Sequence, residues 1–205
     1  LVSVDLLDQA AQLLKHQVEF RLKTVKKARV GLRLAVIYML NRKFDKALSV
    51  MKITRWRNLP GPLASERKQV EARILLNLEQ PEDALLALVG DQTDEAHLIR
   101  TDIYWEMRRW SDVVETLNEI LQDSWKGPRA LTRIERSYVM KLAVALAQNE
   151  DDEGIIELRQ KYAKKMNGTP DSEGFNLITK KIDLRTTEFR KVAGAIAQIN
   201  TLESF

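Results

Sequence analysis

The side chains that carry most enzyme and metal chemistry are few and scattered in this sequence of 205 residues. It has no cysteine and only two histidines, His16 and His97, which lie far apart with no patterned acid nearby. Disulfides, thiolate chemistry and cysteine-bound zinc are therefore excluded. No glycine-rich phosphate loop and no nucleophile elbow occurs. We expect no catalytic residue, metal, cofactor or small-molecule substrate, and so no enzyme.

Two polar segments resemble known sites only superficially. The acidic run at residues 149–153 lacks the alternating acids around a glycine that a calcium loop needs, so we interpret it as a turn that leads acids into a helix. Residues 167–169, Asn-Gly-Thr, match a glycosylation sequon, for which a turn is the default interpretation.

The formal net charge of +4 is unevenly distributed. Residues 1–60 hold thirteen Lys or Arg against four Asp or Glu, a balance of +9, whereas residues 61–127 hold seven against fourteen, a balance of −7. The densest basic cluster comprises Lys23, Lys26, Lys27, Arg29 and Arg33. It could meet phosphates or acidic lipid headgroups. It lacks interleaved aromatic residues for base stacking, so we favour a solvated face or a docking surface for an acidic segment, and do not expect nucleic acid.

The elements that would position these residues are helices, since glycine and proline are few and strand-like alternation is absent. Leu7, Ala11, Leu14 and Val18 recur at three- and four-residue steps, which predicts an N-terminal helix within residues 1–24. The apolar register then continues to Leu40. We prefer a break near residues 22–24 with Thr24 as N-cap over one long helix. The longest apolar run, residues 34–40, is too short to cross a bilayer.

Start and stop signals divide the remainder of the chain. Pro62 suits the first turn of one helix and Pro81 opens the next. Thr93 is expected to cap a further helix, and Thr132 with Glu135 forms a capping-box pattern. A turn at residues 167–170 precedes two expected short helices, near residues 171–181 and 186–200.

Three seventeen-residue stretches align without a gap: residues 35–51, 72–88 and 101–117. Each has a small residue, then Ile, then Tyr or Leu, a polar turn, an aromatic residue or Pro, Ala or Val, and finally Leu or Met. This pattern resembles the tetratricopeptide repeat. The resemblance implies an all-α fold, an α/α superhelix (a solenoid) of three to four helix–turn–helix units over residues 25–166. An extra N-terminal helix and C-terminal capping helices over 167–205 would complete a single domain, residues 1–205.

The match to the family is irregular. Ala47, Ala84, Val113 and Gly154 are separated by 37, 29 and 41 residues, whereas the family spacing is about 34. In the fourth pair, residues 133–166, Gly154 and Leu158 fit, but Leu142 stands where a small residue is expected. A helical bundle without true repeats is the alternative.

The family offsets imply which side chains would line a concave groove. They are Arg29, Leu32 and Val36 from the first unit, Gln69, Arg73 and Asn77 from the second, and Asp102, Trp105 and Glu106 from the third. Arg73, Asn77 and Trp105 combine charge, amide and aromatic surface, and Trp and Arg are enriched at interface hot spots. Ordinary helix-face residues are the alternative, with Trp105 packing between repeats.

Two functions follow as expectations. The first is a non-enzymatic protein–protein interaction scaffold that holds a peptide or helix in the groove. The second is a structural packing or self-association module of a larger bacterial cell-envelope or motility assembly. The chain begins at Leu1 and also resembles the C-terminal part of a larger bacterial tetratricopeptide protein, so we expect a piece of a longer chain, cytoplasmic or periplasmic.

Overall fold

The computed structural model describes residues 2–20 and 23–180, which are helical and contain no strand. The helices are α1 Val2–Phe20, α2 Thr24–Leu40, α3 Phe44–Ile53, α4 Gly61–Asn77, α5 Pro81–Ala87, α6 Asp94–Glu106, α7 Trp110–Leu121, α8 Arg133–Gln148, α9 Asp152–Met166 and α10 Ser172–Thr179. The all-α prediction is confirmed. Within the described residues, no helix has the length and apolarity to span a membrane. The chain divides into two compact units, residues 1–107 and 108–205. The single-domain organisation stays a prediction.

The helix starts predicted at Pro62, Pro81 and Thr93 agree with the structure, whereas the cap predicted for α2 does not. The break between α1 and α2 is confirmed, but Lys23 occupies the N-cap position, with φ −131° and ψ 161°, whereas Thr24 is the first residue of α2 and has a left-handed φ of 58°. Thr24 as N-cap was therefore wrong. The Thr93 cap is confirmed, because its hydroxyl accepts a hydrogen bond from the Ala96 N–H. The expected helix near residues 186–200 lies outside the described residues.

The first unit is built from successive helix pairs that share hydrophobic clusters. Helix α1 packs against α2 and α3, α4 packs against the α2–α3 pair, and α6 packs against the α4–α5 pair. Helix α4 buries Val70 and Ile74 in one cluster and Ala72 and Leu75 in the next, so its two faces join neighbouring pairs. The first helices of the pairs, α2, α4 and α6, which we call the A helices, consequently lie side by side.

A turn of one backbone geometry recurs after α2, α4, α6 and α8. Its central residue is in the left-handed region, with φ of 54–58° at Arg42, Glu79, Arg108 and Glu150. In three of the turns, the next residue donates its N–H to the carbonyl five residues earlier, at 2.8–3.0 Å: Lys43 to Tyr38, Gln80 to Leu75 and Asp151 to Leu146. This 6→1 bond is the closing bond of a Schellman motif. The four turn residues lie 37, 29 and 42 residues apart.

The repeated turn corrects the register of the fourth pair. Ala35, Ala72 and Thr101 each lie seven residues before a turn residue and are buried. The equivalent residue before Glu150 is Ala143, which is fully buried. The small-residue position of the fourth pair is therefore Ala143, so the mismatch predicted at Leu142 was wrong by one residue. The error arose because Gly154 is not the counterpart of Ala47, as the prediction assumes. That place belongs to Ile155, which is buried four residues after its N-cap, as Ala47 is.

The left-handed turn residues predict a stabilising substitution. A residue with a Cβ is strained at positive φ by about 1–2 kcal/mol, whereas glycine is not. We expect Glu79→Gly to raise the free energy of unfolding by about 0.5–1 kcal/mol, after the greater entropy of glycine in the unfolded chain is subtracted. Urea denaturation followed by far-UV circular dichroism measures this. Gln80→Gly is the matched control, and we expect a loss there because Gln80 has an ordinary φ of −116°. A loss at Glu79→Gly would contradict the assignment.

In the second unit, α8 packs against α7, α9 and α10. Arg136 of α8 donates to the Asp171 carboxylate at 2.8 Å, and Arg159 of α9 donates to Thr179 at 2.8 Å. The predicted capping box at the start of α8 is confirmed, since the Thr132 hydroxyl accepts from the Glu135 N–H and the Glu135 carboxylate accepts from the Thr132 N–H.

Glu135 should make the free energy of unfolding depend on pH in the acid range. A two-pronged hydrogen bond from Arg129, at 2.6 and 2.9 Å, lowers the pKa of Glu135 to about 2; burial opposes this shift and hydrogen bonds from Thr132 add to it. Because the folded pKa lies below the usual value of 4.5, the stabilisation is present above pH 4.5 and is lost as pH falls toward 2. Arg129 is largely exposed, so we expect Glu135→Gln to cost only about 1 kcal/mol at neutral pH.

The measurement is urea denaturation of both proteins between pH 7 and pH 2. Glutamine can still accept the Thr132 N–H, so the comparison isolates the charge. The two stability curves should converge in the acid window, and the exposed control Glu173→Gln should leave the curve unchanged. If the stability curves of the original chain and Glu135→Gln stayed parallel across the whole pH range, the pairing with Arg129 would not be the cause of the pH dependence.

Candidate functional site

The candidate site is a row of six side chains on the three adjacent A helices of the first unit. Six residues before each turn residue stand Val36, Arg73 and Asp102, and two residues before it stand Leu40, Asn77 and Glu106. All six are exposed or half-buried. We call them the A-helix row. Its positions repeat while its chemistry changes, from apolar on α2 through cationic and amide on α4 to acidic on α6.

Most of the predicted groove residues lie at the surface of the protein, but two of them are buried. Arg29 is exposed, two turns before Val36 on the same side of α2, and Gln69 is half-buried on α4. Leu32 is only 3% exposed and belongs to the core shared by α2, α3 and α4. Trp105 is 8% exposed. Placing Leu32 and Trp105 on a groove surface was therefore wrong, because the side chains are inside the protein.

Two of the predicted residues also join α4 to α6. Arg73 forms an ion pair with Glu95 in the first turn of α6. Gln69 donates to the Asp91 carboxylate at 3.1 Å and to the Thr93 hydroxyl at 2.9 Å. Asn77 donates to the carbonyl of Arg73 at 2.9 Å. These bonds hold Arg73 and Gln69 against the start of α6 and hold Asn77 against its own helix.

Asp91 anchors the loop that precedes α6. It is buried and accepts hydrogen bonds from the Thr93 N–H and hydroxyl, at 3.1 and 2.8 Å. Burial acts to raise the pKa of Asp91, but the hydrogen bonds from Thr93, Gln69 and Ser65 outweigh it and hold that pKa below its usual value. The ionised carboxylate therefore holds the start of α6 in place.

A buried arginine that the sequence analysis did not single out holds three helices together. Arg67 of α4 is 6% exposed, and its guanidinium donates to the Ala28 carbonyl of α2 at 2.7 Å and to the Met51 carbonyl of α3 at 2.8 Å. Both terminal nitrogens also lie 3.3 Å from the Thr54 hydroxyl. Burial lowers the pKa of Arg67, while Glu71 opposes that shift by attraction and Arg55 adds to it by repulsion.

The sequence did contain a signal for Arg67. Leu63, Arg67, Val70 and Ile74 follow helical spacing along one face of α4, and the other three are core residues. An arginine on such a face must find acceptors when it is buried. In the next pair, Arg100 of α6 has a similar role, donating at 2.9 Å to the Leu88 carbonyl at the end of α5.

The row offers side chains that could contact a complementary surface. In the part of the chain that the structure describes, no group of three or more His, Asp or Glu side chains is placed to hold a metal ion. The row contains a cation, two acids, an amide and two apolar side chains, each carried by a helix and exposed or half-buried. That combination offers hydrogen bonds, ion pairs and apolar contact to a complementary surface.

Comparison with known proteins found nothing similar to this chain. No family model matches the sequence, no curated protein matches it, and no solved structure matches the fold. The tetratricopeptide resemblance therefore stays a prediction that depends on the repeated residues and the repeated turns.

Proposed function

We propose that this chain is a non-enzymatic protein-interaction scaffold whose A-helix row binds a peptide or a helix of a partner protein. The observation that carries the proposal is the row itself: equivalent positions on three adjacent helices remain at the surface while their residue types differ. Core positions at the same helices are filled by Ala, Ile and Leu. Packing explains the similar residues, so binding is the natural role of the dissimilar ones.

We further propose that the helix pairs form a tetratricopeptide-like solenoid. Support comes from the recurring turn at Arg42, Glu79, Arg108 and Glu150, and from the buried small residue seven positions before each. In such arrays each pair cannot bury its apolar face alone and stacks on its neighbours, and the first helices of the pairs line the concave side. The row would then lie in the groove.

The chemistry of the row defines the partner that would fit. Val36 and Leu40 would take an apolar side chain, Arg73 an acidic one, and Asp102 with Glu106 a basic one. Packed helices lie about 8–10 Å apart, so three of them span about 20 Å. That length matches about six residues of an extended peptide or about 13 residues of a helix. Rigid helices need no ordering on binding, which favours affinity.

Site-specific photo-crosslinking in the native host tests this proposal. A benzophenone side chain is placed at Leu40, Asn77 or Glu106 in the row, and at Lys46 or Glu82 on the exposed faces of α3 and α5 as matched controls. We expect one discrete protein adduct from the row positions and none from the controls. Adducts of equal yield at the row and the control positions, or none from the row, would contradict the proposal.

A second candidate function is self-association within a larger assembly, and one observation favours it. Leu6, Leu13 and Phe20 are each more than half exposed and follow one another at seven-residue steps along α1. They lie opposite Ala11 and Val18, which pack into the first unit. A benzophenone at Leu13 that yields an adduct with the mass of two copies, while the row yields none, would favour this second function.

A further inference from the structure

The structure brings a second set of charges together at one end of the first unit. The guanidinium of Arg67 bonds the carbonyls of Ala28 and Met51, so the start of α2 and the end of α3 lie side by side. The loop that follows α3 leaves from this end, and α4 begins there. Residues that are separate in the sequence, near positions 23–27 and 52–57, therefore share one surface.

This surface is strongly basic. It comprises Lys23, Lys26 and Lys27 from α2 and its N-cap, and Lys52, Arg55 and Arg57 from the end of α3 and its loop; we call these six residues the basic end. All are exposed except Lys27, which is half-buried. The nearby acids are few: Glu71 pairs with Arg55 at 3.1 Å, Glu19 pairs with Lys15 at 3.8 Å, and Glu66 is exposed at the start of α4.

Two large apolar side chains stand exposed among these cations. Ile53 is 59% exposed and Trp56 is 45% exposed. The sequence cluster alone lacks an aromatic residue, whereas Trp56 stands between Arg55 and Arg57 in the loop of the basic end. Exposed aliphatic and aromatic side chains among Lys and Arg match a bilayer interface, where Trp lies at the headgroup level and cations meet anionic lipids.

We propose that the basic end is a peripheral membrane-binding surface for anionic phospholipids. A single-stranded nucleic acid would use the cations and Trp56, but it would give no partner to the exposed aliphatic Ile53, whereas the interfacial zone of a bilayer accommodates both. This surface is separate from the A-helix row, so the two proposals succeed or fail independently.

Vesicle flotation with the full chain tests the proposal. Phosphatidylcholine vesicles with about a third phosphatidylglycerol are compared with phosphatidylcholine alone, and we expect binding to the anionic vesicles only, weakened by high salt. Lys26→Glu should weaken binding about tenfold or more, and Trp56→Ala about tenfold. Matched controls are Lys46→Glu at the opposite end of α3 and Leu86→Ala on α5, both exposed; we expect these to bind as the unaltered chain does.

Several results would overturn the proposal. Equal binding to neutral and anionic vesicles, no vesicle binding, or equal weakening by the control substitutions would each do so. Binding of a single-stranded DNA oligonucleotide, measured by fluorescence anisotropy, tests the alternative that this surface binds nucleic acid. Oligonucleotide binding that Trp56→Ala abolishes, without vesicle binding, would assign the surface to nucleic acid instead. Circular dichroism of each variant confirms that the helices are intact before binding is compared.

Discussion

Replacing Arg67 with methionine is expected to lower the free energy of unfolding by about 3 kcal/mol. The guanidinium is buried and donates to the Ala28 and Met51 carbonyls and toward the Thr54 hydroxyl. Methionine fills similar volume but donates nothing, so these buried acceptors lose their charged partner. An unmade hydrogen bond in the interior costs more than a made one contributes. The measurement is urea denaturation monitored by far-UV circular dichroism.

Arg55→Met is the matched control for this variant. Arg55 lies in the loop just beyond Thr54, but its side chain is 68% exposed and pairs with Glu71 at the surface. A surface ion pair contributes about 0–1 kcal/mol, so we expect little loss there. If Arg67→Met cost no more than Arg55→Met, Arg67 would not be the connection among α2, α3 and α4 described above.

The second large effect is expected at Gly31, where alanine should destabilise the protein by about 2–3 kcal/mol. Gly31 is inside α2 and packs against Thr54 at the end of α3. An added Cβ would lie 2.6 Å from the Cβ of Thr54 and closer still to its hydroxyl oxygen. Alanine is normally the better helix residue by about 1 kcal/mol. A loss would therefore show that the close approach of α2 and α3 outweighs helix propensity.

Gly174→Ala in α10 is the control for helix propensity. The Cβ added there meets only the flexible end of Met140, at 3.1 Å, so we expect no loss or a small gain. A double-mutant cycle of Gly31→Ala with Thr54→Gly tests the cause directly. Because Thr54→Gly removes the atoms that the methyl group added at Gly31 would strike, the double variant should cost less than the two single variants added together. Additive losses would place the clash elsewhere.

The helix layout was largely predictable because the chain marks its helix ends with strong local signals. Pro81 begins α5, Thr93 caps α6, and Thr132 with Glu135 forms the capping box of α8. Such signals act through neighbouring backbone groups, which the sequence shows directly. Arg42, Glu79 and Glu150 gave no such signal, since none is the glycine or asparagine that favours positive φ.

The site was only partly predictable, because exposure depends on neighbours that the sequence does not show. Asn77 and Glu106 are at the surface as expected, whereas Trp105 is buried. Trp56 shows the reverse case: it is exposed and lies far from the basic cluster in the sequence, but the bonds of Arg67 hold the start of α2 beside the end of α3, from which the loop with Trp56 leaves. The burial of Trp105 and the exposure of Trp56 both depend on contacts between segments that are distant in the sequence. Helical periodicity alone does not reveal those contacts.

The most direct test of the A-helix row is the affinity of the chain for the protein that is crosslinked at Asn77. Exchanging the charges in Arg73→Glu with Glu95→Arg keeps the ion pair between α4 and α6 while it reverses the charge offered to the partner. Isothermal titration calorimetry should show binding weakened about 30-fold, as expected for the loss of a hot-spot arginine, with unchanged urea stability. Affinity within about twofold of the original chain would contradict binding at the row.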